Sequence, residues 1–580
     1  MPKTPQKSNA FSPLRGKIPL VLLAPAFKLV ECVCELFVPI MVSLIVDEAL
    51  TETGSHYLDG PYAFSLVAAI FGLALLGFGC TMVTQFVSSK VSSVFAFDLR
   101  MLLIKKISSL SNSELENFGK SRILNLTGSD ALSVQNGVLM FMRLLARAPF
   151  LIIGSIVASF ILSPIGGLYV LIAFLCCVAS ALLVIAFTPR QYGKLQKELD
   201  VLASKGEDAL VGRRLIRGFQ IQEQEKERFS ESNENYRKRA MVLAKISSLT
   251  NPLTFAFANM GVLLVLFAAG INGPSNMPFS TGVAIALTNY LTQSLVAFLQ
   301  FTRLVSTVTK ASVSKKRIDS FLAVEPVLKE GELKEIEKGE EAFSLSSVSM
   351  GFGGEEKVLE DISFSIRKGE KVGLFGATGS GKTVLLRLLS RDYDPIEGEV
   401  RLFSHPIKDY SFSALRGEIA YTGASSGFFK GTIRENLTLG LPRSEEEIRE
   451  SLRKASADSF VYDYEDGIDH EVSERGSNFS GGQKQRLLLA RAFLSNRDIQ
   501  IYDDALSALD AKTEASVRKA LFEDNEKTIL FVSQRVSSFS TCDKVIVLNE
   551  GKVFAMGTHE ELLSSCDFYK QVYELQRKEV

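Results

Sequence analysis

The sequence predicts a multidomain membrane protein, with a six-helix α transmembrane domain followed by an α/β domain built around a phosphate-binding P-loop. Three observations lead there. Leu, Val, Ile, Phe and Ala runs fill the first half of the 580 residues, whereas charge concentrates beyond about Thr309. Lysine and arginine appear in alternate connections between the apolar runs. One apolar stretch, 372–375, enters a glycine-rich loop that opens a second apolar helix. A chain of this length exceeds what one hydrophobic core supports. The expected division is a short N-terminal segment at 1–17, a transmembrane domain at 18–310, a linker at 311–340 and a nucleotide-binding domain at 341–580.

A helix needs roughly 20 mostly apolar residues to cross the hydrocarbon. Six stretches qualify: 18–46, 61–87, 137–163, 166–188, 247–271 and 278–306. Lys3, Lys7, Arg15 and Lys17 precede the first span, while the loop DEALTETGSHYLDG after it carries neither Lys nor Arg, so that loop is expected outside. Between the second and third spans lie Lys90, Arg100, Lys105, Lys106, Lys120 and Arg122, and the connection from the fourth to the fifth is long and charged. Both are expected in the cytoplasm. The turn at Ser163-Pro164 and the loop INGPSNMP hold no cation. Both termini then lie inside, and MPKTPQKSNAFSPLRGK lacks the apolar core and cleavage site of a secretory signal. Few helix breakers interrupt the cytoplasmic connections, so the second to fifth helices are expected to project beyond the bilayer.

The first span contains Lys28, Glu31 and Glu35 on one helical face. Ionisable groups at membrane depth face a solute path or a partner. Glu31 and Glu35 are therefore candidates for contacting a cationic solute, the alternative being that Lys28 and Glu31 pair with each other. Asn289, Gln293 and Gln300 form a polar stripe on the sixth span, suited to interhelical hydrogen bonds or to substrate. Seven cysteines without a CxxC pair and four scattered histidines argue against structural zinc and for buried free thiols. A formal net charge of zero gives no basic face and no reason to expect a nucleic-acid partner.

The loop Gly376-Ala-Thr378-Gly379-Ser380-Gly381-Lys382-Thr383 fits G-x-x-x-x-G-K-[ST] between a strand and a helix, and with Val384, which follows it, is expected to bind the nucleotide. Glycines let the backbone wrap phosphates, the helix N-terminus adds positive potential, Lys382 reaches the terminal phosphates and Thr383 ligates Mg²⁺. ATP or GTP binding with Mg²⁺ is expected. The run IQIYDD then ends a second apolar strand at Asp503, placed to hold the metal through water.

The stretch NFSGGQKQRLLLARA at 478–492 resembles the signature of ATP-binding cassette (ABC) transporters, and with six preceding spans the whole chain resembles a half-size ABC exporter of the type IV, multidrug-exporter kind. FGKSRILNLTGSDA and EDALVGRRLIRGFQ resemble its two intracellular coupling segments, and HEVSERG the segment that meets them. The resemblance implies that Phe352 stacks on adenine. It also implies that Ser480, Gly481, Gly482 and Gln483 bind the γ-phosphate held by the opposite cassette, with Phe479 replacing the usual Leu, and that Ser507 and Asp510 belong to the loop through which the two sites communicate.

Three departures fall together. Asp504 stands where the family has its catalytic Glu, Gln534 where it has its switch His, and Ala424 where it has a metal-contacting Gln. Shortening Glu to Asp withdraws the carboxylate by roughly 1 Å, a misplacement that can cost about a hundredfold. Gln534 cannot carry the charge available to His, and Ala424 offers no polar atom. ATP binding with very slow hydrolysis is expected. The resemblance implies the degenerate-site subunit of a heterodimeric bacterial multidrug exporter in the plasma (bacterial inner) membrane. Its partners would be a second half-transporter carrying intact Glu, His and Gln, the lipid bilayer, and small amphipathic compounds as substrates. Alternatives are a homodimeric lipid or peptide exporter and an ATP-gated regulator or channel.

Overall fold

The computed structural model describes residues 9–49, 60–270, 279–352, 357–423 and 427–578. The chain forms two compact units: Met1–Ser108 with Phe118–Glu325, and Ser109–Asn117 with Pro326–Val580.

In the first unit, six helices among the described residues are long and apolar enough to cross a membrane. The helix Gly60–Ser109 has 50 residues. At a rise of 1.5 Å per residue it reaches about 75 Å, more than twice the hydrocarbon thickness of ~30 Å. Pro164–Val211, with 48 residues, does the same. Large apolar side chains such as Phe64, Phe71, Phe86, Ile153, Leu263 and Phe267 are exposed on these helices, as a lipid-facing surface requires. Residues 50–59 and 271–278, which hold most of the two longer loops expected outside, lie beyond the described residues, as do Lys3 and Lys7.

The short third turn is described. Ser163 is extended (φ −157°, ψ 122°) and its hydroxyl accepts from the Gly166 amide at 3.1 Å, with Pro164 in the first helical position of Pro164–Val211. A Ser cap followed by Pro satisfies one orphan amide and omits another. On the opposite side of the unit, five residues, Leu126–Asp130, form a π-helical turn ahead of Ala131–Leu144. Asp130 is buried there and accepts from Ser314 Oγ at 2.6 Å. Ser314 belongs to Thr281–Leu322, a helix that continues into the segment read as a linker from residue 311. Ala311, Ser314, Ile318, Phe321 and Leu322 recur at helical spacing and are buried, Phe321 edge-on to Phe118 at 5.1 Å. The apolar stripe outlasts the rise in charge density that suggested a boundary. All seven cysteines are free; Cys176 is exposed and the other six are buried.

In the second unit, strands β1 (Glu341–Gly351), β2 (Lys357–Arg367), β4 (Glu397–Leu402) and β5 (His405–Pro406) form an antiparallel sheet in the order β2-β1-β4-β5. A six-stranded sheet contains β3 (Lys371–Gly376), β6 (Ile419–Gly423), β9 (Ile499–Asp503), β10 (Thr528–Val532), β11 (Lys544–Asn549) and β12 (Lys552–Gly557), in the order β12-β11-β3-β10-β9-β6. All its pairs are parallel except β11 with β12. A two-stranded ribbon joins β7 (Gly431–Thr432) to β8 (Glu471–Val472). All five residues of β10 are buried, as expected of a parallel strand covered on both faces. Because β10 lies between β3 and β9, the carboxyl ends of three adjacent strands open onto one edge, where ligands of open α/β sheets bind.

Candidate functional site

The loop leaving β3 carries Gly376 and the exposed Thr378, then Gly379 (φ 85°) and Gly381 (φ 97°). Both glycines take the left-handed conformation that a side chain resists. A Cβ on Gly379 would meet nothing within 4 Å, whereas one on Gly381 would strike Leu359 Cδ2 at 2.6 Å. The helix Lys382–Leu389 follows, with Val384 packed on the apolar core beneath it. Lys382 Nζ donates to the carbonyls of Gly376 and Ala377, both at 2.8 Å. Burial holds its pKa below the usual lysine value. Ser380 Oγ is buried without a hydrogen-bond partner. A desolvated ammonium, an orphaned hydroxyl and a helix N-terminus turned to one loop fit a phosphate chain.

At the end of β9, the Asp503 carboxylate is shared. Thr383 Oγ1 donates to Oδ1 at 3.3 Å and the Tyr421 hydroxyl to Oδ2 at 2.7 Å. Burial, then Asp503 itself, push the Tyr421 phenol well above its usual range, so it stays a donor. No cluster of three His, Cys, Asp or Glu occurs among the described residues. Mg²⁺ takes one or two protein oxygens plus phosphate oxygens and water, and Thr383 and Asp503 are the residues that would hold it.

Asp504 follows at φ 52°. Its Oδ2 accepts from Gln534 Nε2 at 3.3 Å. Burial, and secondarily the charge of Asp503, raise its pKa. Gln534, just beyond β10, is itself held through its carbonyl, which accepts from Gln576 Nε2 at 2.7 Å, while the Val536 amide donates to Gln576 Oε1 at 2.9 Å. Arg535 between them is ion-paired with the buried Glu514 at 2.5 Å. Ala424 lies outside the described residues. Phe352 is exposed and stands edge-on to Tyr393 at 5.2 Å.

The signature lies apart from these groups in role. Ser480 caps the helix Gly481–Ser495 through a capping box: its Oγ accepts from the Gln483 amide at 3.3 Å and its own amide donates to Gln483 Oε1 at 2.9 Å. Phe479 is buried against Phe460, Tyr464 and His470, an aromatic nest that accommodates the larger side chain. Asp510 caps Ala511–Phe522, and hydrogen bonds from Thr513 keep its carboxyl low. Ser507 Oγ accepts from Gln485 Nε2 at 3.1 Å, and Gln485 Oε1 accepts from the Ala508 amide at 2.7 Å. Gln485 thus ties the signature helix to the 507–510 loop.

A family profile for the ABC transporter matches residues 359–507, and one for the ABC transporter transmembrane region matches 21–296. An ABC transporter ATP-binding protein of Bacillus subtilis (strain 168) is 30% identical over 571 residues, 98% of either chain. The chain belongs to the ABC transporter family. It is a half-transporter, one transmembrane domain with one ATP-binding domain, and ABC exporters work as dimers in a lipid bilayer. An ATP-dependent lipid A-core flippase of Vibrio vulnificus (strain CMCP6) is 27% identical to this transporter over 546 residues, 92% of either chain. A bacterial Atm1-family ABC exporter solved with ATP bound superposes with a TM-score of 0.77 at 20% identity, covering 97% of this chain and 98% of that one. That likeness gives the transporter its exporter fold.

In the membrane unit of the transporter, Glu35, Asn289, Gln293 and Gln300 line a cavity of about 600 Å³ together with Arg147, Thr292 and aliphatic side chains. Glu35 accepts from Arg147 Nη2 at 2.8 and 3.1 Å. Glu31 is not among the lining residues. Lys28 Nζ meets both its oxygens at 2.6 Å, and the two residues are 4% and 6% exposed. Of the two alternatives the sequence left for Glu31, the structure has the pair with Lys28: two charges out of water need each other. Sequence reasoning missed Arg147, Tyr421, Gln485 and Gln576. Each acts through a partner distant in the chain, and only Arg147, a cation inside the expected third span, carried a signal.

Proposed function

We propose that this chain is one subunit of a heterodimeric ATP-driven exporter of hydrophobic or amphipathic compounds, with both termini and the ATP-binding domain cytoplasmic in the plasma membrane of a bacterium. Its phosphate loop binds ATP with Mg²⁺ and hydrolyses it very slowly, and its signature completes the catalytic site of a partner bearing Glu, His and Gln at the three altered positions.

Asp504 carries this reading. A base must come within about 2.6–3.2 Å of the water it polarises. This carboxylate is a methylene short, disfavoured in its charged form by burial, and engaged at Oδ2 by the very side chain that replaces the switch His. Bound ATP-Mg²⁺ supplies the free energy and the electrophilic phosphorus. The chain's residues do the rest: Lys382 and the loop amides hold phosphate charge, Phe352 stacks against the base, Thr383 and Asp503 hold the metal, and Ser480 with its helix N-terminus presents donors to the partner's nucleotide. A cavity lined half by amides and one neutralised ion pair, half by Val, Leu, Pro and Ala, suits amphiphiles and disfavours a permanent cation drawn to free carboxylate. A lipid-like substrate is a second reading, favoured by the likeness to the flippase.

The purified chain in lipid nanodiscs should bind ATP-Mg²⁺ and release almost no phosphate; co-assembly with a complementary half-transporter should restore turnover and dye uptake into inverted vesicles. Sustained phosphate release by the lone chain would rule out the heterodimer, and ATP-dependent ion conductance without uptake would point to a regulator.

A further inference from the structure

Tyr421 is absent from the phosphate loop, the signature and every other motif, yet its hydroxyl makes the shortest contact to the Asp503 carboxylate that the structure records, 2.7 Å against 3.3 Å for Thr383. The sheet puts it there. β6 runs parallel to β9 with Tyr421 beside Ile501 and Gly423 beside Asp503, so the long phenol reaches up the strand to the neighbouring strand's end. Arg387, on the helix that follows the phosphate loop, exerts its charge on the same phenol and donates to Tyr393 Oη at 3.2 Å. Tyr393 in turn meets Phe352. The hydroxyl thus feels a nearby cation and is aimed at one carboxylate oxygen.

We propose that Tyr421 is a positioning residue for the metal ion: by holding Oδ2 of Asp503 it keeps Oδ1 turned to Thr383, where the ion is bound. The inference rests on the reading of Asp503 and Thr383 as the metal-side residues. Mg²⁺ demands near-ideal octahedral geometry, and a carboxylate with one oxygen tied cannot swing both onto Thr383 and Lys382. Partners behind a metal-binding carboxylate fix its orientation, and their loss typically costs about 10–100-fold in metal affinity. The sequence adds a reason for this chain to need such a clamp. Ala424, three residues on, replaces the family's metal-contacting Gln, so Tyr421 is the polar group that β6 itself brings to Asp503.

The test uses the full chain in nanodiscs, with Mn²⁺ as the paramagnetic probe and AMP-PNP as the nucleotide, so that hydrolysis plays no part. Tyr421→Phe keeps the ring and removes only the hydroxyl. It should weaken Mn²⁺ binding in the presence of AMP-PNP about 10–100-fold and alter the Mn²⁺ EPR line shape, while AMP-PNP affinity in EDTA and the thermal midpoint stay at wild-type values. Unchanged Mn²⁺ affinity in Tyr421→Phe overturns the inference, and so does a matching loss of metal-free nucleotide binding, which would make the hydroxyl a general support of the fold. Asp503→Asn separates the two levels. If it loses Mn²⁺ while Tyr421→Phe does not, only the clamp fails; if it binds Mn²⁺ like wild type, the reading of Asp503 fails and the clamp with it.

Discussion

Gln576→Ala should loosen the switch segment without unfolding the domain. Gln576 sits near the end of the last helix, Asp567–Lys578, and its amide bridges the Gln534 carbonyl and the Val536 amide. Truncation deletes both hydrogen bonds. A cavity of about 710 Å³ lined by Asp504, Gln534, Arg535 and Gln576 already adjoins the site, so water can replace the lost partners and the full penalty of an orphaned buried donor does not apply. At about 0.5–1.5 kcal/mol net for each bond, local opening becomes easier by about 1–3 kcal/mol. With a factor of ten for every ~1.4 kcal/mol, amide exchange at Val536 should accelerate by about 5–150-fold. The Arg535–Glu514 ion pair still anchors the segment, so exchange in β10 should stay slow, as local openings of different size exchange independently. Hydrogen exchange read by mass spectrometry over 533–537 in wild type and variant is the assay. Equal exchange there, or equally raised exchange throughout the sheet, would refute the reasoning.

Other expectations follow from single contacts. Asp504→Glu should raise phosphate release by the lone chain less than about tenfold, since Gln534 and Ala424 still fail to aim water; a recovery nearer the hundredfold scale of a 1 Å misplacement, measured by malachite green, would mean the shortened carboxylate was the whole defect. Ser480→Ala should cost roughly 1 kcal/mol through the lost cap and abolish most turnover of the assembled pair, read as ATPase activity at saturating ATP. Lys28→Met should leave Glu31 unpaired and cost about 3–5 kcal/mol, whereas Lys28→Met with Glu31→Leu should return near wild type, as thermal melts in detergent would show. His559, whose Nδ1 lies 2.8 Å from the Tyr569 hydroxyl, has its pKa lowered by burial. Its folded pKa lies below the unfolded value near 6.5. That contribution to stability is therefore complete above about pH 6.5 and is lost as pH falls towards the folded pKa; His559→Gln should flatten the fall in melting temperature between about pH 7 and 5.

What was legible in the sequence was whatever a short window encodes. Six apolar runs and a glycine-rich loop between strand and helix carry their own periodicity and spacing, and the structure places helices and strands on them. The end of the last membrane helix was misjudged because charge rises at Lys315, Lys316 and Arg317 while the buried stripe through Ile318 and Phe321 continues. For the site, residues of the loop and β9 could be named from pattern, but their partners could not. Arg147 lies 112 positions from Glu35, Tyr421 82 from Asp503 and Gln576 42 from Gln534. Those contacts are set by strand order and helix packing, which no local pattern of residues reports. Lys28 and Glu31, a single turn apart, were the exception, and their pairing was among the alternatives the sequence offered.

The turn at Ser163 and Pro164 also bears on how the chain enters a bilayer. With the Gly166 amide capped by Ser163 and only that residue between Arg147–Leu162 and Pro164–Val211, the two segments are tied end to end as they enter the lipid. So short a connection favours their entry together as a hairpin. Lengthening that turn with a few glycines would let them insert one after the other, and the first casualty would be correct topology during biogenesis, well before any nucleotide is bound.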